Sequence, residues 1–154
     1  MKKFRFTLQA LWTVRERQEQ IAREHYTQAV RARQLAVDTL ASVQRECEST
    51  WQLHRNRIAT GAPAAHLQQV QEYITALNEL KTRHERALRE AVRIAEVKWN
   101  QLKLASQARE AVDKLQLRQR KRHDEAMERD EQKHVDDLAQ RRLSVVAGLS
   151  VKQG

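Results

Sequence analysis

A single proline, with a glycine two residues before it, interrupts a sequence that has no other strong helix breaker between about Thr7 and Ala147. Pro63 is the only proline, and it lies with Gly61 in the segment TGAPAA at residues 60–65. Glycine suits the left-handed conformation that ends a helix, and proline suits the first turn of the next helix. The sequence therefore predicts two long helices joined by one short turn.

The composition is typical of long helices rather than of a compact globule. The chain has 154 residues, of which 32% are charged and 5% are aromatic, and such chains form long helices or coiled coils. We treat residues 1–154 as a single coiled-coil domain. Its predicted segments are a helix over about 8–59, a turn at 60–64, a helix over about 64–143 and a flexible tail at 144–154.

Apolar residues recur three and four positions apart along both predicted helices, which is the heptad pattern of a left-handed coiled coil. The seam of the first helix consists of Ala22, Tyr26, Ala29, Arg33, Ala36, Leu40, Val43, Cys47, Trp51, His54 and Ile58. The seam of the second consists of Leu67, Val70, Ile74, Leu77, Lys81, His84, Leu88, Ala91, Ala95, Lys98, Leu102, Ala105, Arg109 and Val112. A short turn makes the helices antiparallel. The expected opposite positions are Tyr26 with Lys98 and Trp99, Ala29 with Ala95, Leu40 with His84, Cys47 with Leu77, and Trp51 with Tyr73 and Ile74.

The second helix is predicted to be longer than its partner. Its apolar seam stops at Leu115 and Leu117, opposite the start of the first helix near Leu8, and the segment 118–134 is nearly all polar. The predicted overhang is about 25 residues, or about 40 Å at 1.5 Å per residue. The predicted fold class is therefore all-α: a long antiparallel two-helix coiled-coil hairpin with an overhanging C-terminal helix.

The charge pattern argues against a dedicated nucleic-acid-binding region. The formal net charge is +9, but the basic residues are spread along the chain and interleaved with acidic ones. The densest basic fragment, RQRKRH at 118–123, follows the seam and then turns acidic, whereas a basic coiled coil needs a basic region that leads into a parallel zipper. Nucleic acid is therefore not an expected partner.

The sequence lacks the residue patterns of catalytic and cofactor sites. Three glycines at 61, 148 and 154 cannot form a phosphate-binding loop. His54 and His66 flank the turn without a thiolate or carboxylate beside them, which is a weak zinc pattern. A pair of helices offers little concave surface. We expect no enzymatic activity, no catalytic residue, no metal and no cofactor.

One cysteine, Cys47, excludes an internal disulfide and fits a reducing compartment. The start of the chain lacks the apolar run of a signal peptide, and the longest apolar stretches, such as VVAGL at 145–149, are far shorter than a membrane span. We expect a soluble, cytoplasmic protein that reaches a membrane only through its partners.

Four segments carry a family resemblance when they are taken in order. They are FRFTLQALWTVRERQEQIA at 4–22, QEYITALNELKTRHERAL at 71–88, EVKWNQLKLA at 96–105 and EQKHVDDLAQRR at 131–142. Their order and spacing resemble the FliJ family of flagellar type III export proteins, which are antiparallel two-helix coiled coils similar to the central stalk of rotary ATPases. The resemblance covers most of the chain.

The resemblance implies a non-enzymatic component of flagellar protein export. Such a protein links the hexameric export ATPase to the cytoplasmic domain of the export gate and escorts export chaperones. It implies a peripheral position at the inner-membrane face of the flagellar basal body. A general coiled-coil scaffold or chaperone is the closest alternative, and a nucleic-acid-binding coiled coil is a more distant one.

The resemblance also implies two sets of contact residues. The gate-binding stripe of the family maps onto Tyr73, Leu77, Leu80 and His84. Leu77 and His84 also fall on the predicted seam, so their exposure is left open, while Tyr73 and Leu80 are expected beside the seam and partly exposed. For the ATPase ring we expect contacts where the two termini meet. The candidates there are Leu8, Leu11, Trp12, Arg15, Arg118, Arg122, Asp136, Asp137 and Arg141.

Overall fold

Two long α-helices make up nearly all of the structure. The computed structural model describes residues 4–150, with side chains described for residues 4–142. Helix α1 (Gln9–Ala59) has 51 residues and helix α2 (Ala64–Ser150) has 87. The two helices pack against each other, and there is no strand among residues 4–150. The predicted all-α helical hairpin is therefore confirmed.

The turn between the helices follows the chemistry expected of its glycine and proline. Gly61 has a φ of 74°, the left-handed conformation that ends a helix without strain only at glycine. Its N–H donates to the carbonyl of Ile58 at 3.1 Å, and the N–H of Ala62 donates to that of Arg57 at 3.0 Å. This pair of hydrogen bonds is the Schellman motif, which satisfies the last carbonyls of α1. Pro63 directly precedes α2.

The described chain is divided into two compact units. The turn unit comprises Arg17–Ser106, and the terminal unit comprises Met1–Glu16 with Gln107–Gly154. The prediction of one domain over 1–154 stays a prediction. The backbone of α2 is helical to Ser150, beyond the predicted end near residue 143, and residues 151–154 of the predicted tail lie outside the described residues.

The predicted seam of α2 is correct at every position from Leu67 to Val112, because each of these residues is buried or half-buried. On α1 the prediction was wrong at Arg33, Trp51 and Ile58, which are exposed. The sheltered row of α1 runs through Ala22, Tyr26, Ala29, Ala36, Leu40, Val43, Cys47, Thr50, His54 and Arg57.

The errors on α1 have two physical causes. Near the turn the sheltered row passes through Thr50 and His54, so Trp51 lies one residue, or about 100°, away from it. The Trp51 ring instead meets the His54 ring edge-on, with centroids 6.1 Å apart, and does not occupy the layer expected opposite Tyr73. At Arg33 the guanidinium remains in solvent, because burying an unpaired charge is unfavourable.

The middle of the turn unit follows the expected register. The rings of Tyr26 and Trp99 lie 5.2 Å apart between centroids, as the antiparallel pairing predicts. Ala29 is 7% exposed and Ala95 4% exposed, so both belong to the core as the predicted layer of small residues requires. Small side chains at such a layer allow two helices to approach closely.

In the terminal unit, the residues before α1 extend the pairing with α2. Phe6 is buried, and the Thr7 hydroxyl and the Gln119 side-chain amide exchange hydrogen bonds of 3.3 and 3.2 Å. The ring of Phe4 lies edge-on to His123, with centroids 5.6 Å apart. The non-helical segment 4–8 therefore shelters α2 beyond the point expected from α1 alone.

The predicted end of the α2 seam at Leu115 and Leu117 was wrong. These residues are 42% and 67% exposed, while the sheltered row continues through Val112, Gln116, Gln119, His123 and Met127. The row keeps spacings of three and four residues, but its side chains from Gln116 to His123 are polar, so the apolar pattern did not detect it. Beyond Met127 every described side chain through residue 142 is exposed. The overhang therefore begins later than predicted.

Candidate functional site

The four residues of the candidate gate-binding stripe lie on α2 within the turn unit, and the structure separates them by exposure. Tyr73 is 47% exposed and Leu80 is 37% exposed, as expected for residues beside the seam. Leu77 is 4% exposed and belongs to the core, while His84 is half-buried. Three of the four side chains therefore present surface to solvent, and Leu77 does not.

Tyr73 is connected to the neighbouring helix through its hydroxyl, which donates a hydrogen bond to Oε1 of Glu46 on α1. This hydrogen bond to the Glu46 carboxylate raises the pKa of the Tyr73 hydroxyl above its ordinary value, and desolvation and the negative charge of Glu46 act in the same direction. The ring of Tyr73 is consequently held at the surface between the two helices. Glu46 was not identified from the sequence, because its residue type and position are those of an ordinary solvated helix face.

The nine candidate residues for the ATPase ring all fall within the terminal unit. Leu8 and Leu11 are exposed at 36% and 38%, whereas Trp12 and Arg15 are half-buried. The remaining five are exposed charged residues of α2. They are Arg118, Arg122, Asp136, Asp137 and Arg141.

Trp12 is one of these candidates, but its indole takes part in a polar cluster inside the terminal unit. Its Nε1 donates a hydrogen bond of 2.6 Å to Asp113. Arg109, on the same face of α2 one turn earlier, also donates to the Asp113 carboxylate and forms an ion pair with it. Asp113 therefore accepts hydrogen bonds from Trp12 on α1 and from Arg109 on α2. The indole N–H of Trp12 is consequently not available to a partner protein. The seam prediction included Arg109 but did not identify Asp113.

The overhang carries its candidate residues on a solvated helix. Asp136 accepts a hydrogen bond of 3.1 Å from Gln132, one turn earlier, and Lys133 lies 3.9 Å from Asp130. Exposed pairs of this kind contribute about 0.2–0.5 kcal/mol each to a helix. Such a segment presents carboxylates and guanidiniums on several sides, which suits contact with a surrounding partner.

Elsewhere in the turn unit, three polar residues are buried: Glu19, Thr50 and His54. Glu19 is 6% exposed. Its Oε1 lies 3.0 Å from Nη2 of Arg23, and this ion pair compensates the charge of the carboxylate. His54 is 9% exposed, and its Nδ1 has no hydrogen-bond partner among the described residues. His66 is exposed.

Two further properties hold for the part of the chain that the structure describes. No group of three or more His, Cys, Asp or Glu side chains there is arranged to hold a metal ion. Within the same residues, neither helix combines the length and the apolar character needed to cross a membrane.

The two packed helices, with a heptad core and exposed aromatic, leucine and charged residues, define a two-helix coiled-coil protein. The chain belongs to the FliJ family: the family described as Flagellar FliJ protein matches residues 4–147. Membership implies a role in flagellar protein export. No curated protein and no solved structure gave a significant match to the chain.

Proposed function

We propose that this protein is a non-enzymatic, stalk-like component of the flagellar type III export apparatus. It joins the hexameric export ATPase to the cytoplasmic domain of the export gate, and it works in the cytoplasm at the inner-membrane face of the basal body. The family match over residues 4–147 is the observation that carries the proposal. Escort of export chaperones is a second part of the same role.

The terminal unit is the proposed contact for the ATPase. It contains Leu8 and Leu11 as exposed apolar residues and the exposed charges of the overhang. A helix that enters a ring of subunits needs contact groups around its circumference. Asp136 and Asp137, which are adjacent and point about 100° apart on the helix, supply two such groups.

The turn unit is the proposed contact for the gate. Tyr73 and Leu80 are exposed residues of one helix face, and Leu77, which lies between them in sequence, is buried. Exposed aromatic and aliphatic side chains that rest on a packed core are the usual anchors of protein interfaces. His84, which is half-buried, adds a polar edge to this surface.

Stimulation of the purified export ATPase tests the first contact. We expect the wild-type protein to increase ATP hydrolysis. The double variant Asp136→Asn, Asp137→Asn should need about a tenfold higher concentration for half-maximal stimulation, as the loss of one or two charged contacts allows. Asp38→Asn is the matched control, because Asp38 is an exposed acidic residue of the turn unit. No stimulation by the wild type would favour a general coiled-coil scaffold instead.

Binding of the isolated cytoplasmic domain of the gate tests the second contact. We expect Tyr73→Ala and Leu80→Ala each to weaken binding by about tenfold, since interface anchors contribute more than about 1 kcal/mol each. Leu104→Ala is the matched control, because Leu104 is a leucine of the turn unit on α2 that is 67% exposed. Wild-type affinity in both test variants, with helix content unchanged, would remove this surface from the proposal.

A further inference from the structure

Glu46 lies on α1, opposite the proposed gate-binding residues of α2. It is an exposed residue, and its Oε1 accepts the hydrogen bond from the Tyr73 hydroxyl. The contact joins two helices across 27 residues of sequence. It therefore couples the most exposed member of the candidate stripe to a side chain outside that stripe.

The contact determines where the Tyr73 ring can lie. An aromatic side chain that is 47% exposed has few packing neighbours to fix its orientation. A hydrogen bond from its hydroxyl to a carboxylate on the other helix is charge-assisted and therefore among the stronger kinds. A ring held in this way loses less conformational freedom when a partner covers it, and preorganisation of this kind increases affinity.

We propose that Glu46 is a positioning residue of the gate-binding surface, which consequently spans both helices. Glu46 acts through Tyr73 by holding its ring in the binding orientation. This inference rests on the proposed function, because it requires Tyr73 to contact the gate. The apolar ring faces the partner while its hydroxyl remains bonded to α1, so the complementary surface on the gate is apolar at this point.

A double-mutant cycle with the full chain and the cytoplasmic domain of the gate tests the inference. We expect Glu46→Ala to weaken binding about fivefold, a loss within the range of one charge-assisted hydrogen bond. Glu46→Gln retains an oxygen acceptor and is expected to recover most of the affinity. In a Tyr73→Phe background, which keeps the ring but removes the hydroxyl, Glu46→Ala is expected to have no further effect.

The matched control is Glu48→Ala, since Glu48 is a neighbouring exposed glutamate of α1 that interacts with Gln52 and Arg55. It is expected to bind as wild type. A second readout uses Tyr26→Phe as the background, so that Tyr73 is the only tyrosine that remains. Ultraviolet titration should then show the phenol ionising at lower pH after Glu46→Ala than before it.

The outcomes separate this inference from the proposed function. Wild-type affinity for Tyr73→Ala and Leu80→Ala would overturn both. Loss of affinity in those variants, with wild-type binding by Glu46→Ala, would overturn the positioning role alone. An equal loss from Glu46→Ala in the presence and absence of the Tyr73 hydroxyl would also overturn it, because Glu46 would then contact the gate directly.

Discussion

The indole Nε1 of Trp12 donates a hydrogen bond of 2.6 Å to the carboxylate of Asp113. This bond connects the first turn of α1 to α2 within the terminal unit. Asp113 also accepts a hydrogen bond from Arg109. Its negative charge is therefore balanced by a residue of α2, while its carboxylate binds the indole of Trp12 on α1. The pair fixes one register for the start of α1 in a region where the core contains little apolar surface.

Removal of this acceptor should lower the free energy of unfolding. Asp113→Ala leaves the partly buried Trp12 indole and the Arg109 guanidinium without their shared acceptor, and we expect a loss of about 1–3 kcal/mol. Urea denaturation followed by circular dichroism measures it. Asp38→Ala is the control, since Asp38 accepts a hydrogen bond from Gln34 on the exposed face of α1. This substitution should change stability by less than about 0.5 kcal/mol.

A larger side chain in the small-residue layer should force the helices apart. Ala95 is 4% exposed and Ala29 is 7% exposed, so Ala95→Leu has no space to fill and should destabilise the protein by about 1–3 kcal/mol. Thermal unfolding monitored by circular dichroism provides the measurement. Ala87→Leu, at an exposed position of the same helix, is the control, and an equal effect of the two substitutions would contradict the assigned layer.

The buried imidazole near the turn should be replaceable by an apolar side chain. His54 is 9% exposed and its Nδ1 has no partner among the described residues, so the folded state carries an uncompensated polar atom. We expect His54→Leu to leave the free energy of unfolding unchanged or to raise it by about 1 kcal/mol. His54→Asn retains polarity and loses volume, so it should lower stability. Lower stability in both variants, measured in urea, would indicate a stabilising role for the imidazole.

The hydrogen bond from Tyr73 to Glu46 should make the free energy of unfolding vary with pH in the alkaline range. Its pKa is raised above the ordinary value of 10.0, chiefly by the hydrogen bond to Glu46. The folded state therefore holds this proton more tightly than the unfolded state, and the stabilisation is complete below pH 10.0 and disappears as the pH rises through the folded pKa. As the pH rises from 10.0 through the folded pKa, wild type should lose stability faster than Tyr73→Phe in urea titrations. Parallel curves for the two proteins would contradict the bond.

Much of the fold could be predicted from the sequence because the heptad spacing on α2 is regular from Leu67 to Val112. The prediction failed where a large apolar residue lies beside the true row, as Trp51 does next to Thr50. Residue type favoured the tryptophan, whereas helix geometry placed the threonine and His54 in the core. Spacing is therefore the more reliable guide when the two disagree.

The candidate site was less predictable than the fold, since its important contacts cross between helices. The exposure of Tyr73 follows from its place beside the seam, but its bond to Glu46 depends on the local register near the turn. The exclusion of Leu77 from the surface likewise depends on which of several adjacent positions faces α1. Polar residues such as Gln119 and His123 continue the sheltered row, and an apolar pattern does not detect them.

Simultaneous binding of both partners tests the account most directly. The cytoplasmic domain of the gate is immobilised, and retention of the export ATPase is measured with and without this protein. We predict that the wild-type protein retains the ATPase on the immobilised gate domain. The double variant Tyr73→Ala, Leu80→Ala should not retain it, because this variant does not bind the gate domain. Leu104→Ala should behave as wild type. Retention that does not require this protein, or binding of one partner that displaces the other, would contradict the proposed link.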